Sequence, residues 1–287
     1  MRNLLPILTV VAVIVALWYA LAVVLNAPWA YSKAKRADVT LSFSQMVTDT
    51  MAQDKPRLPA PHQVAVEIWE TTVEKKITSK RSLIYHGWIT LQATLLGFAF
   101  GIALGIGLAV AIVYFRVVDM SVMPWIIASQ TVPILAIAPM IVVVLAALQV
   151  DDIVAKGVIS MYLSFFPVVV GMVKGLRSPD AMLLDQMKTY NASPAQTFWK
   201  LRLPNSVPYL FTSLKVGAAA SLVGAVVAEL SLSQNGGLGA RLLAGSYYGQ
   251  TIQIWSALLA AATVAALMVI SLGALEKAML KRMGMAT

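Results

Sequence analysis

The chain of 287 residues is 59% hydrophobic and 12% charged, against roughly 25% charged in a soluble globular protein, and its apolar runs near 20 residues exclude an ordinary soluble domain and place it in a bilayer. With no cysteine and only two distant histidines, His62 and His86, it offers no disulfide, no thiol chemistry and no expected metal centre. The net charge of +9 is spread over loops between apolar blocks, which points to anionic lipid headgroups rather than to nucleic acid.

The first apolar run, residues 4–25, follows Met1-Arg2-Asn3 and resembles a signal peptide. It is longer than a signal-peptide core of roughly 7–15 residues, and no small-residue cleavage site follows at once, so it reads as a retained first span. Five more runs, at 89–114, 123–148, 153–173, 207–230 and 252–275, are long enough to cross about 30 Å of hydrocarbon. The expected fold is all-α and polytopic, with six transmembrane helices and both termini on one side. Leaving out the first loop, ten Lys/Arg (Arg2, Arg116, Lys174, Arg177, Lys188, Lys200, Arg202, Lys277, Lys281, Arg282) fall on the terminal side and two (Lys156, Arg241) opposite. That bias favours cytoplasmic termini. The first loop opposes it with nine more Lys/Arg over 26–87.

Residues 26–83 read as an external loop in two parts. The first is polar and turn-rich, with prolines at 56, 59 and 61, and reads as a connector without a core. The second, "QVAVEIWETTVEKK", spaces Val64, Ile68, Trp69 and Val73 at helical intervals. Such an amphipathic helix either lies at the membrane interface or packs on the protein.

Span two carries Gly97, Gly101 and Gly105 on one face, a helix-packing signal. Span three holds Pro124, Pro133 and Pro139 with Gln130-Thr131 between them. Proline frees backbone carbonyls that a packed kink or a water-lined path must satisfy, so the region is either one. Span five carries Lys215 and Glu229, about 21 Å apart along a helix and therefore not a pair within it. Gln130, Thr131, Ser221 and Glu229 are the polar candidates for a translocation pathway.

Between spans four and five, Ser178-Pro179-Asp180 reads as an N-cap, a proline at the first helical position and a first-turn acid. Leu183, Met187 and Tyr190 share a face, and Asn191 stands where a left-handed residue closes a helix. Ser193-Pro194-Ala195-Gln196 is a second start with capping-box spacing, opening a short helix to about Leu203 before Pro204 and Pro208. This helix–turn–helix carries Leu183, Met187, Tyr190, Phe198 and Trp199, an apolar patch that fits either a soluble partner or the chain's own span ends.

The same segment resembles the signature loop of ABC importer permeases, Glu-Ala-Ala, three residues, Gly, nine residues, Ile-x-Leu-Pro. Asp185-Gln186-Met187 stands at the triplet, Asn191 at the glycine, and Leu201-Arg202-Leu203-Pro204 at the close, with every spacing matched. Gln186-Met187 is the departure that bears on fit to a partner. Together with "LPAPHQVAVEIWE", "LKVGAAASLVGAVVAEL" and "NGGLG", it resembles the nitrate/sulfonate/bicarbonate (taurine-type) permeases. After the first helix over 1–25 and the 26–83 loop, the resemblance covers a permease core over 84–280 with the coupling loop at 178–204, ahead of an expected cytoplasmic tail at 281–287. It implies a homodimer in the bacterial inner membrane, two cytoplasmic ATP-binding-cassette subunits that carry ATP and Mg, and an external solute-binding protein. Asp185, Met187, Tyr190, Asn191, Ala192, Phe198, Leu203 and Pro204 would then meet the ATPase. No phosphate-cradling G-x-x-x-x-G-K-[ST] loop occurs, so no cofactor and no catalytic residue is expected on this chain. Rival readings are a secondary transporter and a structural membrane subunit. "GARLLAGSYYGQTIQIWSALLAAA" is similar to permeases for pyrimidine or flavin precursors, which sets a small heterocycle beside a small anion as the expected substrate.

Overall fold

A computed structural model describes residues 4–285. Arg2 of the charge count and the last two residues of the 281–287 tail lie outside them. The order is α1 (Leu4–Arg36), α2 (Phe43–Met51), α3 (Pro61–Trp69) continued by a π turn (Glu70–Glu74), α4 (Leu83–Tyr114), α5 (Arg116–Ser129), α6 (Ile134–Ala147), α7 (Asp152–Leu176), α8 (Ala181–Thr189), α9 (Pro194–Thr197), a π turn (Phe198–Arg202), α10 (Leu203–Ser231), α11 (Leu238–Tyr248) and α12 (Thr251–Arg282). The described residues are helical and contain no strand. They fold as two compact units, residues 4–86 with 241–260, and residues 87–240 with 261–285.

In the first unit the connector is ordered, contrary to the reading of a segment without a core. Asn26 of α1 is fully buried, and its side chain binds the backbone of Arg57 and Leu58 at 2.8–3.3 Å. Gln53 donates to the Asn26 carbonyl at 3.3 Å, and Thr251 donates to the Pro56 carbonyl at 2.5 Å. A proline-rich segment without regular structure leaves backbone groups open, so polar side chains of the adjoining helices take them up.

In the second unit the organising contact is close approach at small residues. A Cβ on Gly97 would come within 2.4 Å of Ser160, one on Gly101 within 2.1 Å of Ser164, and one on Gly105 within 2.7 Å of Val168. All three of these glycines thus lie against α7. Both series ascend, so α4 and α7 run parallel. The chain must then return across the membrane between Tyr114 and Asp152. The helices α5 and α6 make that return, bent by 102° around Gln130–Pro133, and bring the spans to six. On its other side α7 meets α10 antiparallel, with Gly171 against Ser213, Gly175 against Ser206 and Gly224 against Ser160.

Span five departs from expectation at its start. The short helix from Pro194 does not stop near Leu203; it continues through the π turn and Pro204 into α10 as one apolar helix of 38 residues. A π adjustment re-satisfies backbone groups that prolines would leave open.

Gly101→Ala is expected to destabilise the protein by about 1–3 kcal/mol, the usual cost of overpacking. Gly107→Ala, where an added Cβ meets nothing within 4 Å, should be neutral or mildly stabilising. Thermal unfolding of the two detergent-solubilised variants checks the contrast.

Candidate functional site

The segment between α7 and α10 folds locally, and its caps show why. Asp180, rather than Ser178, is the N-cap of α8: its carboxylate accepts from the Met182 N–H at 3.2 Å. Ser178 instead donates to the Gly175 carbonyl at 2.7 Å and so finishes α7. The other end is a full Schellman closure. Asn191 sits at φ +52, its N–H donates to the Lys188 carbonyl at 2.8 Å, and the Ala192 N–H donates to the Met187 carbonyl at 3.0 Å. The capping box at Ser193 is present in both directions, with Gln196 accepting from the Ser193 N–H at 2.8 Å.

The neck of this segment is fastened to the helix bundle. Phe198 packs edge-on against Tyr114 of α4 at 5.9 Å and joins the cluster of Ile112, Met172 and Leu176. Arg202 donates to the Leu176 carbonyl at 2.8 Å. Leu203 and Pro204 of the neck are half-buried, as are Met187 of α8 and Ala192 of the turn. Asp185 is exposed and paired with Lys188 at 2.8 Å. What α8 and the neck leave in the open is Met182, Leu183, Tyr190 and Trp199, and no residue of α8 is buried. Met182 escaped the sequence reading because it falls off the Leu183–Met187–Tyr190 stripe. Phe198, assigned to the exposed patch, turns inward.

The pathway candidates separate into two places. Gln130 and Thr131 lie at the bend between α5 and α6, Gln130 half-buried and Thr131 exposed. Ser221 and Glu229 are fully buried. Ser221 donates to the Thr94 carbonyl at 2.8 Å and shares a hydrogen bond with Ser160 at 2.6 Å. The Glu229 carboxylate accepts from Thr90 Oγ1 at 2.9 Å and from the Gly239 N–H at 2.8 Å. Thr90 Oγ1 in turn accepts from the Leu238 N–H at 2.8 Å. Lys156, 2% exposed on α7, donates to the Gly236 carbonyl at 3.3 Å. A Cβ on Gly237, at φ +118, would come within 2.2 Å of the Glu229 carboxyl carbon. The "NGGLG" loop is thus moulded on Glu229, and only glycine fits there.

The partners of two charged groups went unread. Lys156, counted among the charges opposite the termini, is buried in the second turn of α7. Lys215 has a partner, Glu276 of α12, at 2.5 Å; the predicted sixth span stopped one residue short of it.

With this geometry in hand, comparison places the chain among known proteins. Residues 82–285 match the model of the family described as binding-protein-dependent transport system inner membrane component. The chain is 32% identical over 183 residues to the formylaminopyrimidine transport permease protein ThiX of Halalkalibacterium halodurans, covering 63% of this chain and 68% of that one. It is 25% identical to the putative aliphatic sulfonates transport permease protein SsuC of Bacillus subtilis, over 72% of this chain and 73% of that one. A chain of the MetNI methionine ABC transporter in an inward-facing conformation shares the fold, with a TM-score of 0.56 at 17% identity, covering 68% of this chain and 95% of that one.

Glu229→Ala removes the acceptor of Gly239 and Thr90 and should destabilise the protein by about 1.5–3 kcal/mol or more, the range for a hydrogen bond to a buried charged group. Glu229→Gln keeps one acceptor oxygen and should cost less. Unfolding midpoints of the two variants against the parent check the order.

Proposed function

The chain belongs to the family of binding-protein-dependent transport system inner membrane components, the membrane permeases of ABC importers, and we propose that its 178–204 segment is the piece through which a cytoplasmic ATPase drives it. The ATPase is a separate subunit in such importers, and the readings as a secondary transporter or a structural subunit fall away with the family. The observation that carries the coupling proposal is the rigid, doubly capped α8–α9 unit, with Met182, Tyr190 and Trp199 open and the neck locked to α4 and α7. A loose linker would deform under load; a capped helix pair fused to α10 moves the span when it is pushed. Asp185, Met187, Tyr190, Asn191, Ala192, Phe198, Leu203 and Pro204 divide on this reading. Asp185 and Tyr190 face the ATPase cleft, Asn191 and Ala192 hold the turn, and Met187, Phe198, Leu203 and Pro204 transmit through the neck.

In this proposal two copies of the chain form the pathway in the bacterial inner membrane, with both termini and the 178–204 segment in the cytoplasm and an external solute-binding protein delivering solute. ATP and Mg act on the ATPase. Its closure opens the pathway outward and hydrolysis resets it, a two-state element biased by partners. Gln130 and Thr131, at the broken span, border the solute; Ser221 and Glu229 fix the wall behind. The substrate is a small heterocycle of pyrimidine or flavin-precursor type or a small anion, in keeping with the names of the relatives. Thermal-shift screening of the cognate binding protein separates the two classes.

Asn191→Val forces a β-branched residue into the left-handed region at a cost of roughly 1–2 kcal/mol, and should lower both ATPase co-purification and transport severalfold. Asn191→Gly should preserve both. Unchanged association and transport in Asn191→Val and in Met187→Ala would count heavily against the coupling reading.

A further inference from the structure

The helix α3 turns the wrong face outward for a helix in water. Val64 and Thr71 are buried, and half-buried Glu67 is paired with Arg241 at 3.1 Å. Arg241 also donates to the Arg81 carbonyl at 2.7 Å, so one side chain fixes both the helix and the turn that closes the segment. The large apolar side chains that remain outward are Val66, Trp69 and Val73, 53%, 61% and 58% exposed, spaced i, i+3, i+7 along one stripe that Glu70 borders.

The position of this stripe along α1 is set by aromatic contacts. Trp18 donates to the Pro59 carbonyl at 2.9 Å, and Tyr19 stacks on His62 in the first turn of α3 at 5.9 Å. Trp18 also meets Trp255 of α12 at 4.9 Å. Trp and Tyr gather where a membrane meets water; here Trp18 and Tyr19 stand inside the apolar run of α1 and pin the start of α3 beside it. Directly after the stripe come Lys75, Lys76, Lys80 and Arg81, all exposed. They outnumber Glu70 and Glu74, the two acidic residues of 70–81.

We propose that residues 61–81 are a membrane-surface element: Val66, Trp69 and Val73 lie in the headgroup boundary beside α1, and Lys75, Lys76, Lys80 and Arg81 bind the phosphates of anionic phospholipids. An outward apolar stripe and a basic cluster at its end, on a helix pinned beside a span, form the pattern of an interfacial helix. The proposal is independent of how the 178–204 segment works.

The absence of native cysteine makes the test direct. The full chain carrying Val66→Cys or Val73→Cys is labelled with an environment-sensitive fluorophore and reconstituted into nanodiscs, with Glu74→Cys as the off-stripe control. Doxyl groups borne on lipid near the headgroup are expected to quench the stripe labels, and aqueous iodide to quench the control. Quenching of the stripe by iodide alone overturns the proposal, and so does shielding from both quenchers, which would place a second copy or a soluble protein on the stripe. In the second arm, the melting temperature is followed as phosphatidylglycerol replaces phosphatidylcholine. The parent's apparent preference for the anionic bilayer should fall by about fivefold or more in the K75Q/K76Q/K80Q/R81Q variant, given the usual attraction per basic residue. An equal preference in the two proteins overturns the headgroup assignment.

Discussion

Backbone-close packing of α7 between α4 and α10 is the constraint from which the permease core follows. In lipid there is no hydrophobic force to press helices together, so close van der Waals contact and buried hydrogen bonds must do it. Small residues make the contact possible on both faces of α7: Gly97, Gly101 and Gly105 on one neighbour, Gly171, Gly175 and Gly224 with Ser206 and Ser213 on the other side. Ser160 stands at the centre, touched by Gly97, Gly224 and Ser221. The parallel course of α4 and α7 is part of the same contact, and it obliges the proline-rich chain between them to cross the membrane in two bent pieces.

Charge inside the spans is spent on fixing loops and helix ends. Glu229 and Lys156 lie on neighbouring helices, and both reach into the 235–239 loop, one accepting from Gly239, the other donating to Gly236. Lys215 and Glu276 tie α10 to α12. A charged group within a span is costly unless paired or bonded, and each of these four has such a partner. This pattern suits a protein that supplies a bistable frame and leaves the chemistry of ATP to another subunit.

Much of this was legible in the sequence because the signals were local. Long apolar runs gave the spans, the four-residue glycine spacing gave the α4 face, and Asn191 and the Ser193–Gln196 box gave the turn. What could not be read was decided across long sequence separations or by competition between neighbouring caps. Ser178 and Asp180 are both good caps, and only the end of α7 determines which one starts α8. The prolines at 204 and 208 signal a stop, but the π turn before them lets the helix run on. The ordering of 53–62 depends on Asn26, and the partners of Lys156 and Lys215 lie 80 and 61 residues away. No periodicity carries such pairings.

The continuity of α9 and α10 has a mechanical meaning. From Pro194 to Ser231 the chain is one apolar helix of 38 residues, held at its waist where Ser221 and Gly224 meet Ser160. Pro194 lies 27 residues, about 40 Å, before Ser221, and Glu229 lies eight residues, about 12 Å, beyond it. Any rigid tilt about that waist moves the Pro194 end roughly three times as far as the Glu229 end. The helix is geared down: a coarse displacement at one surface becomes a fine adjustment, with larger force, at the glycine loop on the other.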